Sequence, residues 1–216
     1  MRIVAISDLH GYLPARIPDG DLLVIAGDVC PDVPGTAVPG QRHLAAQHQV
    51  NWLHEDFAPW LDRQSIRDIV MCWGNHDYAG ELPAGALPPL AATILTDAAT
   101  VAAGLRIFGT PWTFAVPDVW AFDVEPDQLA GVMRAIPEGV DLLLTHSPPL
   151  YVLDRLVSGK HVGSPALVEA VARVRPRAHV FGHIHEARGQ LGSAYNVAIL
   201  DEEYRPYERP LTVIDL

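Results

Sequence analysis

An α/β fold is predicted by two features of the sequence. Short apolar, β-branched runs alternate with segments of helical spacing, and the C-terminal third then carries strands with no helix between them. The chain's 216 residues are enough for one substantial core and marginal for two, so residues 1–216 are read as a single domain. Residues 3–6, 22–26, 69–72, 105–108, 142–144 and 180–181 are the buried strands, each followed by turn chemistry. Helical spacing covers residues 43–61, 126–135 and 165–174. The last of these has Ser164 to cap it, Pro165 at its first position, and Val168, Val171 and Ala172 on one face. Residues 195–199 and 211–214 are further strands, which makes the sheet mixed or adds a second sheet. Residues 31–40 and 80–89, rich in Pro, Gly and Ala, are long loops of a length that often carries function.

Composition narrows the function classes. Lys and Arg number 15 against 26 Asp and Glu, a net charge of −11, which disfavours a basic groove for nucleic acid or an anionic membrane. A phosphate ligand therefore needs cations brought from outside. No apolar run approaches the ~18 residues of a membrane span, and the chain enters a strand pattern directly after Met1 with no cleavable leader pattern. Cys30 and Cys72, the two cysteines, form neither a disulfide framework nor a zinc knuckle and read as small buried residues. A cytoplasmic location follows from these readings.

The chemistry lies at the strand exits. Asp8-Leu9-His10 follows the first strand, Gly27-Asp28 the second, and Gly74-Asn75-His76-Asp77 the third; His146 and Gly182-His183-Ile184-His185 follow two later ones. Loops at the carboxyl ends of α/β strands converge on one crevice. Carboxylates, imidazoles and an Asn amide with no thiolate make a mixed N/O set that suits Mn, Fe, Zn, Ni or Co rather than an all-oxygen calcium cage. Each block alone has a bland reading: Asp and His cap turns, and His-x-His also occurs on exposed strands. Five blocks in order, each after a strand, point to a binuclear site. Two divalent ions less two carboxylates and a hydroxide leave a charge of about +1, which favours a phosphoester; ions ~3.5–4 Å apart share a water and aim it at phosphorus. The His ligands must be neutral to bind, so occupancy is expected to fall below about pH 6.

These blocks, with Thr145-His146-Ser147-Pro148-Pro149, resemble the five sequence blocks of the calcineurin-like metallophosphoesterases over residues 4–199. Pro111-Trp112, the 160–163 Lys-His-Val-Gly run and the 181–186 Phe-Gly-His-Ile-His-Glu run resemble the branch of metallophosphoesterase-domain-containing proteins. The resemblance implies a four-layered α/β/β/α sandwich with two mixed β-sheets. It implies that Asp8, His10 and His185 hold one divalent metal, that Asn75, His146 and His183 hold the other, and that Asp28 bridges them. Mn2+ is the expected ion, with Fe, Zn, Ni, Co or Mg as alternatives. His76 would face the phosphate and protonate the leaving oxygen after attack by a metal-bridging hydroxide. The family's acidic residue three places beyond the bridging Asp is here Pro31. Asp32, one place further, is equally a substitute or a surface turn residue, and it stays outside the catalytic set.

The expected activity is phosphodiester hydrolysis of small, nucleotide-like esters, with no membrane or extended nucleic-acid partner. Alternatives are a phosphomonoesterase or nuclease on the same site, or a non-catalytic protein-binding scaffold of the same fold. His161, in a Gly-flanked loop, and Trp112, in an aromatic loop with Phe114 and Trp120, are the candidate substrate contacts; an exposed loop His and loop packing are the competing readings. His179 reads as a packed structural His, Asn196 as a residue that satisfies turn backbone, and His43, His48 and His54 as surface residues.

Overall fold

The computed structural model describes residues 1–33, 41–114 and 119–216. Most of the expected loop at 31–40 lies outside the described residues, as does the 115–118 part of the aromatic loop. The strands are β1 (Arg2–Ile6), β2 (Leu22–Ala26), β3 (Ile69–Cys72), β4 (Thr93–Ile94), β5 (Ala98–Ala102), β6 (Leu105–Thr110), β7 (Leu142–Thr145), β8 (Ala178–Phe181), β9 (Gly189–Leu191), β10 (Ala194–Asn196) and β11 (Thr212–Asp215). They form two mixed sheets, ordered β11-β1-β2-β3-β4 and β5-β6-β7-β8-β10-β9. In the first sheet β1 to β4 run parallel and β11 closes the edge antiparallel. In the second, β6, β7, β8 and β10 run parallel between antiparallel β5 and β9.

The period-2 alternation of the strands builds the layers. On β2, Leu22, Val24 and Ala26 point between the sheets, where they meet Ile107, Leu142, Leu144 and Val180 of the second sheet. Leu23 and Ile25 of the same strand point the other way, onto Leu53, Phe57 and Trp60. Leu53 and Phe57 belong to a π turn (Leu53–Phe57) that follows α1 (Arg42–Trp52), and Trp60 to α2 (Ala58–Asp62). On the opposite outer face, Phe108 and Leu143 pack against α3 (Pro126–Ala135) and α4 (Pro165–Val174) through Leu129, Met133, Leu167 and Ala170. The order is therefore helix, sheet, sheet, helix, as expected.

Where expectation and structure differ, local chemistry explains it. The single helix expected over 43–61 breaks at the π turn, because Pro59 lacks the N–H that would bond one turn back. β4, β5 and β9 are short edge strands rich in Ala, Thr and Gly, with little β-forming signal. The strand expected at 195–199 is shorter, and the 80–89 loop carries short 3-10 turns at Tyr78–Glu81 and Ala84–Ala86. Both cysteines are buried and free. Among the described residues no helix is long and apolar enough to cross a membrane.

Candidate metal centre

The parallel strands β1, β2, β3, β7 and β8 deliver their carboxyl ends to one place. Leaving those ends, the backbone turns sharply: Asp8, His10, Asp28 and His183 have φ of 56°, 42°, 51° and 70°. Side chains rarely accept this left-handed region, at a cost of about 1–2 kcal/mol each. Cross-loop hydrogen bonds hold the turns. The amide of Asp8 donates to Gly27 O at 3.0 Å and that of His10 to Asp28 O at 2.9 Å. Buried Asp77 clamps the next loop by accepting from the amides of Cys30 and Gly74, each at 2.8 Å. Gly182 is required by close approach, since a Cβ there would land on Ser7 Oγ and Asp8 Oδ2.

These turns bring the seven expected ligand positions together in two groups. Asp8, His10 and His185 place ligand atoms within 4.8 Å of one another, and so do Asp28, His146 and His183. Asp28 stands between the groups, its Oδ2 3.2 Å from His146 Nε2 and 3.8 Å from His10 Nε2. Asn75 Oδ1 lies 3.0 Å from His146 Nε2. The two His of the Gly-His-Ile-His block do not lie along a strand. His183 is in the left-handed region and His185 opens a 3-10 turn, which sends the rings to different groups.

The hydrogen bonds around these rings test whether divalent ions fit. His146 Nδ1 lies 2.8 Å from Ala26 O and His185 Nδ1 2.9 Å from Asp201 O. A carbonyl only accepts, so each Nδ1 carries a proton, and once Nε2 is deprotonated each ring presents its lone pair there. Yet His146 Nε2 faces the oxygens of Asn75 and Asp28, and His185 Nε2 faces Asp8 Oδ1 at 3.4 Å. Both His10 ring nitrogens are buried without a hydrogen bond. Lone pairs converging on lone pairs call for cations, and carbonyl-anchored imidazoles are the usual second support of metal-binding His. The donor set fits a pair of divalent ions.

Without ions, protons on His146 and His185 Nε2 take the place that cations would fill, and the carboxylates hold them there. Burial alone would raise the Asp8 carboxyl, but His185 holds it down to about 2. Asp28 is likewise held well below the usual carboxylate range, as His146 and His76 overcome its burial. Burial would lower His146 and His185, but Asp28 beside the first and Asp8 beside the second lift both to about 9. Burial and the neighbouring His146 push His183 down to about 3.

His76 sits at the edge of the second group. Its amide donates to Asp28 Oδ1 at 2.8 Å, and Gln49 of α1 donates to its carbonyl at 2.7 Å. Its ring Nδ1 lies 2.6 Å from Asp32 Oδ1. The Asp32 carboxylate thus reaches His76 from one place beyond the family's position. Burial opposes a charge on His76, but Asp28 and Asp32 outweigh it and the ring ends above the ordinary His value. Two aromatic rings flank the site: Trp120, expected only as a member of the aromatic loop, and Tyr204, which nothing in the sequence marked. Trp120 stacks on His76 at 4.3 Å, with its carbonyl held by Arg42, and Tyr204 stacks on His10 at 4.4 Å. Tyr204 is also left-handed, with φ 61°, in a turn tied to the site through the Asp201 carbonyl on His185. Neither residue belongs to a polar block, so no motif marks them.

The other expected residues fall as follows. Trp112, expected as a substrate contact, gives its indole N–H to Asp97 at 2.7 Å and packs edge-on against Phe122. His161 Nδ1 lies 2.6 Å from the buried Asp154 carboxylate and belongs to neither ligand group. His179 is buried with its Nε2 2.9 Å from Thr145 Oγ1, and Asn196 serves the carbonyl of Ile184 and the amide of Ala198. His43, His48 and His54 are exposed.

The model of the calcineurin-like phosphoesterases matches residues 1–187. The chain belongs to this family. Metallophosphoesterase domain-containing protein 1 of Homo sapiens is 30% identical over 248 aligned residues, covering 100% of this chain and 71% of that protein. UPF0046 protein T07D4.2 of Caenorhabditis elegans is 31% identical over 221 aligned residues, covering 90% of this chain and 54% of that protein. The chain therefore spans about half the length of the worm relative. The crystal structure of TT1561 of Thermus thermophilus shares the fold, with a TM-score of 0.53 and 13% identity over 93% of this chain and 89% of that one. Tyr204 and its turn lie beyond the residues that the family model matches.

Proposed function

We propose that this member of the calcineurin-like phosphoesterases is a binuclear phosphodiesterase for small, nucleotide-like esters, with Mn2+ the preferred ion. The observation that carries the reading is two three-residue ligand groups with the Asp28 carboxylate between them and an Asp-oriented imidazole, His76, at their edge. Asp8, His10 and His185 would hold one ion, Asn75, His146 and His183 the other, and Asp28 both. Ions bound there would supply Lewis-acid polarisation of the phosphoryl oxygens and an acidified water.

The remaining chemistry is done by the chain. As the water oxygen bonds to phosphorus, the bond from phosphorus to the alcohol oxygen breaks and that oxygen needs a proton. With Nδ1 engaged by Asp32, the His76 atom that gives the proton is Nε2. Asp28 and Asp32 raise the affinity of His76 for its proton, which favours the acid form. Trp120, stacked on the ring, limits its rotation. A net charge of −11 supports small substrates over nucleic acid, and two free buried thiols support a cytoplasmic setting.

Hydrolysis of bis-p-nitrophenyl phosphate with added Mn2+, against an EDTA control, tests the reading. Metal-dependent release of p-nitrophenol is expected. Absence of turnover with any of Mn, Zn, Fe, Ni, Co or Mg would favour the non-catalytic scaffold, and turnover of p-nitrophenyl phosphate alone would favour a monoesterase.

A further inference from the structure

A cleft of about 610 Å³ opens between one face of α3, the amino-terminal turns of α4 and the loop that carries His161. Its size lies within the range of about 300–1,000 Å³ for small-molecule sites. Both walls hang from the second ligand group. The amide of Ser164 donates to Pro148 O at 2.9 Å, two residues beyond His146, and the amide of Leu150 returns to Ser164 O at 3.1 Å. On the other side, Ala121 donates to Asn75 O at 2.8 Å, and Phe122 O accepts from Thr113, the residue before Phe114. Phe114, Leu150 and Val162 give the cleft an apolar lining.

The polar groups in this cleft are arranged around one imidazole. Asp154, 1% exposed, accepts from His161 Nδ1 at 2.6 Å, from the amide of Gly163 at 2.9 Å and from that of Tyr151 at 3.0 Å. This fixes the His161 ring with Nε2 as its free nitrogen. The loop also holds Tyr151 and Leu153 in the left-handed region, at φ 66° and 50°, a strain that recurs at ligand sites. Arg134 and Lys160 line the cleft, and their side chains have no hydrogen-bond or ion-pair partner among the described residues; Glu169 also lines it, while the Asp154 carboxylate is buried behind His161 and fully engaged. In a chain of net charge −11, this is a local excess of donors.

We infer that this cleft binds the organic arm of a phosphodiester, a heteroaromatic, acceptor-rich group of nucleoside size, while the phosphate lies at the two ligand groups. The inference rests on the phosphodiesterase reading. The apolar lining takes the ring, Lys160 and Arg134 donate to its oxygens, and His161 Nε2 reads a hydroxyl or amine.

Two substrates that share one leaving group test it: thymidine 5′-p-nitrophenyl phosphate and methyl p-nitrophenyl phosphate. The wild-type protein is expected to favour the nucleoside ester in kcat/KM. Ala166→Trp, which fills the cleft from a partly exposed position, and His161→Ala should each cut that preference by at least about tenfold, the effect of losing one well-held ring. A wild-type preference at or below one, or a preference unmoved in both variants, overturns the proposal while hydrolysis stands. If neither ester is hydrolysed, the phosphodiesterase reading is what fails. The cleft is then judged by calorimetric binding of thymidine 5′-monophosphate, with binding weakened tenfold in Ala166→Trp supporting it. No binding, or equal binding by both proteins, overturns it.

Discussion

Metal binding should expel protons, and the number follows from two rings. His146 and His185 are lifted to about 9 by Asp28 and Asp8, which outweigh the effect of burial. Each Nε2 must lose its proton before its lone pair can serve a cation. At pH 7 each ring lies about two units below its pKa, so proton competition weakens apparent affinity ~100-fold per ring and ~10⁴-fold for the pair, about 5 kcal/mol. The unperturbed His value would put the loss of metal below about pH 6; the carboxylate neighbours move its onset up toward pH 9. Without metal the sign reverses. A folded-state pKa above the unfolded 6.5 gives stabilisation that is complete below pH 6.5 and is lost as pH rises through about 9. The assay is calorimetric titration of Mn2+ into EDTA-stripped protein at pH 7, in buffers of different ionisation enthalpy. At least about two protons should be released per chain, one more if the water between the ions ionises, with affinity climbing steeply to pH 9. Release of less than half a proton, or affinity flat from pH 6.5 to 9, would refute the assignment of these two rings as ligands.

Three substitutions probe the remaining roles. His76→Ala should leave metal content nearly unchanged and slow alkyl esters far more than p-nitrophenyl esters, by about 10²–10⁴-fold, the usual worth of a general acid. Loss of metal, or full activity on an alkyl ester, would contradict that role. Asp32→Asn removes the charge that supports the His76 proton, so the basic limb of the kcat profile should shift to lower pH; an unmoved limb would make Asp32 a bystander. Gly182→Ala puts a methyl group on Ser7 and Asp8 and should cost more than about 2 kcal/mol in denaturant melts, with weakened metal binding; a neutral result would show that the β1 and β8 loops are not as closely packed as described.

The layer order and the convergence of the seven expected ligand positions were legible because both follow from local rules. Two-residue periodicity built β2 with one face toward the other sheet and one toward the helices, and the ligands sit within a few residues of strand ends, where the sheet alone brings them together. Asp32 is different. Its carboxylate meets His76 only through the path of the loop after β2, and sequence position gave it no advantage over a turn residue. Trp120 depends on Arg42 holding its carbonyl, and Tyr204 on a turn near the C-terminus reaching back to His185. These are contacts between distant segments, with no spacing to betray them. The short edge strands escaped for a simpler reason, since Ala98 to Ala102 pairs with β6 through its backbone and offers few side chains with strand preference.

The most direct measurement is anomalous diffraction at the manganese edge from crystals grown with Mn2+. Two peaks ~3.5–4 Å apart are expected, one among Asp8, His10 and His185, the other among Asn75, His146 and His183, each within bonding distance of an Asp28 oxygen. A single peak, or two peaks with Asp28 touching only one, would contradict a shared dinuclear centre.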